Sequence, residues 1–261
     1  LLLISVMLLL AEPHFAVSWP WIFGKPFNQL YAQDKLFLIY IPLLIIVASI
    51  LIVVFAGFVW FSYIFLFVNI YHVNRQSLGV WKLLGLERAH FNSAGMDIHT
   101  VSLVYLSFHF FIKNYELSIP RPIIALSTLL LVGLYFVIKY RPIGKSAQYF
   151  SALAQAIAIF APLMFLDDPL LAMAIGVSVH YMQYLVLAGG ISFYELGKFR
   201  MFFYIALYSV IMFCSQTFMK EYSSYFILIA AIPQLLHFYL DGFFWKFSNE
   251  VIRHRFIRWS N

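Results

Sequence analysis

Three histidines lie within apolar, helix-forming stretches of this sequence, and each is followed one helical turn later by polar side chains. Side chains three and four residues apart share one helix face, so each histidine and its partners form a single polar stripe. Ionisable groups in such apolar surroundings are costly, and in membrane proteins they mark functional sites. The stripes are His72 with Arg75 and Gln76, His180 with Gln183 and Tyr184, and His237 with Asp241.

The chemistry that such histidines support is metal binding. Neutral imidazole is the commonest metal ligand in proteins, and a neighbouring carboxylate or amide usually fixes its tautomer. We expect His72, His180 and His237 to be metal ligands, with His14 of the segment E-P-H-F as a fourth. The groups expected to orient these ligands, or a bound water, are Asp241, Gln76, Gln183, Tyr184 and Arg75.

The available ligand atoms limit the candidate metals but do not identify one. Cys214 is the one cysteine, which excludes cysteine-based metal and Fe–S sites and disulfides within this chain. Iron, copper and zinc all suit nitrogen and oxygen donors, and two facing histidines would suit a haem. In the competing interpretation each histidine hydrogen-bonds a neighbouring helix, and Arg75 reaches to lipid headgroups. No catalytic residue is assigned.

The composition defines the class of protein. The chain is 63% hydrophobic and only 11% charged, with a mean hydropathy of +0.87. Several apolar runs exceed the length of about 18 residues that marks a membrane span, and they are continuous rather than alternating. This predicts an all-α, polytopic transmembrane helical bundle that forms a single domain. The net charge of +6 is spread over short loops, so membrane topology explains it better than binding to nucleic acid.

We expect about nine spans, or eight if the second and third are one. Their break is placed near Ala56-Gly57, although no charged loop marks it. The sequence opens within an apolar run, without a signal-peptide pattern, so we expect the true N-terminus to lie upstream. Residues 247–261 read as a basic interfacial tail attracted to anionic lipids. The expected spans are 1–22, 36–55, 58–76, 98–112, 122–138, 147–166, 169–191, 200–219 and 224–246.

The distribution of basic residues predicts the orientation. Of the 17 lysines and arginines, all but Lys113, Arg121 and Lys220 fall in loops of one parity or in the C-terminal tail. The positive-inside rule therefore places the C-terminus in the cytoplasm. At about 1.5 Å per residue, His72, His180 and His237 then lie about 16–21 Å from the outer surface. His14 reaches a similar depth, so four helices could bring histidines together in the cytoplasmic half of the bundle.

The motifs Y-H-V-N-R-Q-S-L-G, H-Y-M-Q-Y and H-F-Y-L-D-G-F-F-W-K, with E-P-H-F, resemble those of a family of bacterial polytopic membrane proteins. The resemblance covers four short windows. In the fuller family pattern a further histidine follows the first and the second of these motifs, where this chain has Ser77 and Leu185. The layout is distantly similar to the Brp/Blh-type membrane carotene dioxygenases. That similarity implies a histidine-bound iron and oxidative chemistry on a lipophilic substrate.

Two functions follow from these patterns. The first is an integral membrane metalloprotein, in a bacterial inner membrane, that oxidises a lipid or isoprenoid. The second is a non-catalytic accessory subunit of a larger membrane complex, with a degenerate site and with lipids and partner subunits as its contacts. A transporter is less well supported, because few charges lie within the spans and no paired broken helices are evident. Whether the chain is an enzyme is left open at this stage.

Overall fold

The computed structural model describes residues 5–22, 31–32, 34–83, 88–114, 120–140, 159–217 and 227–244. The residues in these ranges are predominantly helical and include no β-strand, as predicted. The basic tail 247–261 and most of the expected span 147–166 lie outside the described residues. The chain divides into two compact units, of which unit 1 comprises Leu1–Asn69 and Tyr181–Asn261, and unit 2 comprises Ile70–His180.

Three of the described helical segments are long and apolar enough to cross a membrane: Leu36–Ala56, Arg121–Lys139 and Lys198–Ser215. Leu171–Val186 and Leu228–Phe243 are apolar but shorter. The chain can therefore insert into a membrane. The expected total of nine spans is not confirmed by these segments and stays a prediction, as does the orientation.

The N-terminal region of unit 1 is a broken helix, and the predicted span 1–22 was expected to be interrupted at Pro13 and Pro20. A π-helical turn, Met7–Ala11, leads into α1 (Glu12–Ala16), and α2 (Trp19–Ile22) follows after a two-residue turn. Prolines favour such breaks because they lack the N–H that an uninterrupted helix uses, and Pro13 and Pro20 lie near the two helix starts. The turn places Ser18 in the interior, where it is fully buried.

The next helical pair meets at a single glycine. α3 (Ile41–Leu51) is flanked by π-helical turns over Leu36–Tyr40 and Ile52–Ala56, and α4 (Phe58–Leu83) begins one residue later. Gly57 between them has φ +89°, a left-handed conformation that residues with a Cβ rarely adopt. The predicted break between the second and third spans lies at this position.

Unit 2 contains two helices joined at both ends by side chains. α5 (Arg88–Asn114) and α6 (Arg121–Tyr140) run antiparallel, because Lys139 binds Asp97 near one end and Arg121 reaches His109 near the other. A 3₁₀ helix, Ala161–Met164, packs against both. The expected span over 147–166 is thus not α-helical in its described part. Pro162 lies within this segment and removes a donor that an α-helix would need.

The last three helices carry much of the candidate site. α7 (Pro169–Leu196) begins after Asp168, whose carboxylate accepts a hydrogen bond from the Leu171 N–H as an N-cap. α8 (Lys198–Thr217) follows Gly197 and packs against α1 and against α9 (Ile227–Phe244). The boundary between the units falls within α4 and again within α7.

Candidate metal centre

Unit 1 brings together two of the predicted histidine ligands. His14 on α1 and His237 on α9 are both fully buried, and their ring centroids are 4.9 Å apart. The Tyr184 ring, from α7, lies 4.3 Å from that of His14. The broken N-terminal helix and the packing of α1 and α9 on α8 hold these side chains in the interior.

Four buried side chains of unit 1 form a hydrogen-bonded chain. His237 Nδ1 lies 2.9 Å from Ser18 Oγ, and Ser18 Oγ lies 2.9 Å from Tyr184 Oη. Tyr184 Oη in turn donates to Asp241 Oδ1 at 2.7 Å. Each distance is within the normal range for a hydrogen bond, and each residue is almost or wholly inaccessible to solvent. Asp241 was predicted as the partner of His237, whereas Tyr184 was predicted as a partner of His180 and lies instead in the hydrogen-bonded chain of His237. Ser18 was given no role.

The donors along this chain can be assigned from valence. Tyr184 has one hydroxyl proton and gives it to Asp241, so its oxygen must accept from Ser18. Ser18 has then used its own proton, so it must accept from His237 Nδ1. His237 consequently carries its proton on Nδ1, and in the neutral imidazole the lone pair is on Nε2.

That lone pair faces a carboxylate oxygen. His237 Nε2 lies 3.8 Å from Asp241 Oδ2, one turn away on α9. Two acceptors that face each other in a buried site could be bridged by a cation. A proton shared by a histidine and a carboxylate gives a distance of about 2.7–2.9 Å, which is shorter than the separation observed. Ligand atoms at about 2.0–2.2 Å from one metal ion can be up to about 4 Å apart, so a metal ion fits this gap better.

The charges of unit 1 also favour a cation. Glu12 and Asp241 are both buried, whereas none of the lysines and arginines that the structure describes in unit 1 is buried. Buried carboxylates are tolerated when they are paired or when they coordinate a metal. When both are ionised, the two carboxylates carry the charge that would balance a divalent ion. Glu12 was not among the residues that the sequence assigned to the site.

Unit 2 contains the other two predicted ligands. His72 on α4 and His180 on α7 are buried, with ring centroids 5.5 Å apart and ring planes at 89°. Across the described residues, buried histidine and aspartate side chains form groups that could hold a metal ion. Arg75 is exposed, and Gln76 and Gln183 are half-buried. The orienting roles of these three residues stay predictions.

Two other histidines have structural partners in unit 2, and neither was assigned to the site. His109 Nδ1 donates to the Leu163 carbonyl at 2.9 Å and so helps to satisfy the backbone of the 3₁₀ helix. His99 lies 3.4 Å from the amide nitrogen of Asn74, which also bonds Ser102. These contacts connect neighbouring segments, as polar groups in membrane bundles commonly do.

Ser77 and Leu185 are the two residues that stand where the resemblance described above predicts histidine. The Ser77 hydroxyl donates to the Val73 carbonyl of its own helix at 2.8 Å. Leu185 packs against a buried cluster that includes Met201 and Ala188. Both side chains thus serve helix structure or packing.

Comparisons with known proteins do not assign the chain to a family. No protein-family model matches it, and searches of curated proteins and of solved structures also gave no match.

Proposed function

We propose that this chain is an integral membrane protein that binds a divalent metal ion through His237 Nε2 and Asp241 Oδ2. The observation that carries the proposal is the 3.8 Å separation of these two acceptor atoms, with the histidine proton held on the opposite ring nitrogen by Ser18. The charge of the two buried carboxylates supports the same conclusion. Metal ligands usually have their second ring nitrogen hydrogen-bonded in this way.

The ligand set extends beyond this pair. His14, beside His237, would be the third ligand in unit 1. The His72–His180 pair is a separate group of predicted ligands in unit 2. The expectation that all four histidines share one ion rests on their common depth in the sequence and stays a prediction. Two imidazoles and a carboxylate are the ligand types of many non-haem iron enzymes, so iron is the metal that we propose first.

The proposed activity is oxidation of a lipid or isoprenoid that reaches the site from the bilayer. Its support is the resemblance of the motifs to membrane carotene dioxygenases, together with a buried site in a chain that can insert into a membrane. A bacterial inner membrane is the proposed location. The proposed oxidative activity depends on the metal being present, and metal analysis is therefore the first experiment.

The experiment compares metal content in purified, detergent-solubilised protein and in three variants. His237→Asn removes the Nε2 ligand but leaves an amide N–H that can still donate to Ser18, and Asp241→Asn removes the carboxylate. His109→Gln serves as the control, because His109 is equally buried but bonds the Leu163 carbonyl. Wild type and the control should retain about one ion per chain, and the two ligand variants should lose it. Equal metal content in all four proteins, or no metal in any after reconstitution, would refute the proposal.

The accessory-subunit function is the second candidate. Its specific support is that Ser77 bonds its own helix and Leu185 packs in a core cluster, where a complete site of the resembled type would have histidines. This candidate predicts that the chain purifies with a stable membrane partner and that His237→Asn leaves that assembly intact. A chain that purifies alone, folded and metal-loaded, would contradict it.

A further inference from the structure

We propose that Ser18 is a positioning residue, which holds His237 in the tautomer whose Nε2 is available to a ligand. Ser18 is fully buried in the turn between α1 and α2, far from His237 in sequence. Its hydroxyl is the link between the His237 ring and the Tyr184–Asp241 pair. The inference deepens the proposed function, although the tautomer itself can be measured without any metal.

The tautomer of His237 has to be fixed because Asp241 lies next to its Nε2 atom. A neutral imidazole carries its proton on either nitrogen, and Asp241 Oδ2 is an acceptor next to Nε2. Without Ser18, an Nε2–H could turn toward this carboxylate and donate to it. The ligand lone pair would then lie on Nδ1, on the wrong side of the ring. The Ser18 oxygen prevents this because it can only accept from Nδ1 once its own proton has gone to Tyr184.

Tyr184 is the second residue that fixes the tautomer of His237. By donating to Asp241 Oδ1 at 2.7 Å, it requires that its oxygen accept from Ser18, and this requirement sets the direction of the chain. A phenylalanine at this position would free the Ser18 proton to turn toward His237. Both substitutions should therefore shift the same equilibrium, Ser18→Ala by removing the acceptor and Tyr184→Phe by removing the partner that fixes its direction.

The primary test is the ¹⁵N NMR spectrum of histidine-labelled, metal-free protein, with the His237 signals assigned by their loss in His237→Asn. We expect a predominantly Nδ1–H tautomer in wild type, a shift toward Nε2–H in Ser18→Ala and Tyr184→Phe, and recovery in Ser18→Thr. Ser192→Ala is the matched control: Ser192 is buried in the same unit, but its hydroxyl donates to the Val17 carbonyl. An unchanged tautomer in Ser18→Ala, or an equal shift in Ser192→Ala, would overturn the inference.

Metal binding gives a second readout, with Fe²⁺ and Zn²⁺ each used alone as probes. Loss of an orienting hydrogen bond typically weakens metal affinity about 10–100-fold, and we expect this loss in Ser18→Ala but not in Ser18→Thr or Ser192→Ala. The two proposals can fail separately. A wild-type protein that binds neither ion but shows the Nδ1–H tautomer would remove the proposed function and leave the role of Ser18 intact. If Ser18→Ala does not fold, Tyr184→Phe and Ser18→Thr decide the question.

Discussion

The backbone of Gly176 lies directly against the carbonyl oxygen of Ile159, so close that a Cβ atom at Gly176 would overlap it. Gly176 is on α7, one turn before His180. Ile159, two residues before the 3₁₀ helix, therefore packs against the backbone of α7 near His180, a predicted ligand. Glycine in the middle of a helix lowers stability relative to alanine. The close approach of the Ile159 backbone is the physical reason for a glycine at position 176.

Gly176→Ala should destabilise the protein. The added methyl group must displace either the Ile159 backbone or α7, and overpacking of this kind costs about 1–3 kcal/mol or more. Gly79→Ala is the control, because a Cβ at Gly79 would meet open space and alanine favours the helix. Thermal unfolding in detergent should show a lower Tm for Gly176→Ala and an equal or higher one for Gly79→Ala. Matching Tm values for the two variants would contradict the packing.

Asp241→Asn should abolish metal binding and yet leave the metal-free protein at least as stable as wild type. The amide oxygen can still accept from Tyr184, while the new N–H₂ group can donate to His237 Nε2 and replace two facing acceptors with a hydrogen bond. Tm measured with chelator and with added metal tests both parts. Wild type should gain stability on metal addition, as binding to the native state requires, and the variant should not. A large loss of Tm in chelator for Asp241→Asn would oppose this account.

Glu12→Gln should weaken metal binding without removing a proposed ligand. An ionised Glu12 would supply a second buried negative charge in unit 1, and Glu12→Gln would remove that charge from the balance of the proposed divalent ion. The metal-free variant should unfold at a Tm close to that of wild type, because the amide oxygen can accept hydrogen bonds as the carboxylate does. Metal titration and thermal unfolding measure the two effects, with Asp167→Asn as an exposed carboxylate control. An unaltered metal affinity would show that Glu12 plays no part in the charge balance.

Arg121→Lys should be more damaging than Asp167→Asn, although the two residues form an ion pair. The guanidinium also donates to the carbonyls of Leu163, Met164 and Leu166, which a lysine cannot match. The Leu163 carbonyl keeps its hydrogen bond from His109, whereas leaving the Met164 and Leu166 carbonyls unpaired costs about 1–3 kcal/mol each. The exposed pair with Asp167 contributes about 0–1 kcal/mol. Tm values for the two variants give the comparison. Equal losses would mean that the ion pair, rather than the backbone contacts, stabilises the segment.

The sequence was most informative where one helix carries both partners of a contact. His237 and Asp241 are one turn apart on α9, so spacing alone places them together. Ser18 and Tyr184 are separated by 166 residues, and no local pattern can predict a hydrogen bond between them. A signal for Ser18 was nevertheless present, since it follows His14 by four residues, the spacing that singled out the other polar partners.

The sequence likewise predicts some helix boundaries and not others. Gly57 was identifiable because a very long apolar run has to be interrupted, and glycine is the residue that tolerates a positive φ. The bends and 3₁₀ helix at 159–168 were missed because hydropathy measures the environment of a segment and not its backbone conformation. Their carbonyls are satisfied by Arg121 and His109, from α6 and α5, and that compensation depends on tertiary structure.

The contacts of Arg121 also account for its unusual place in the charge distribution. In the predicted topology it is one of three basic residues on the side of the membrane where the positive-inside rule expects few. Its N–H groups are directed to three backbone carbonyls and to Asp167, which offsets its charge. These contacts give Arg121 a structural role in the 159–168 segment. A count that leaves it out makes the predicted orientation of the chain more one-sided, and a reporter fused to the C-terminus should keep its cytoplasmic location when Arg121 is replaced.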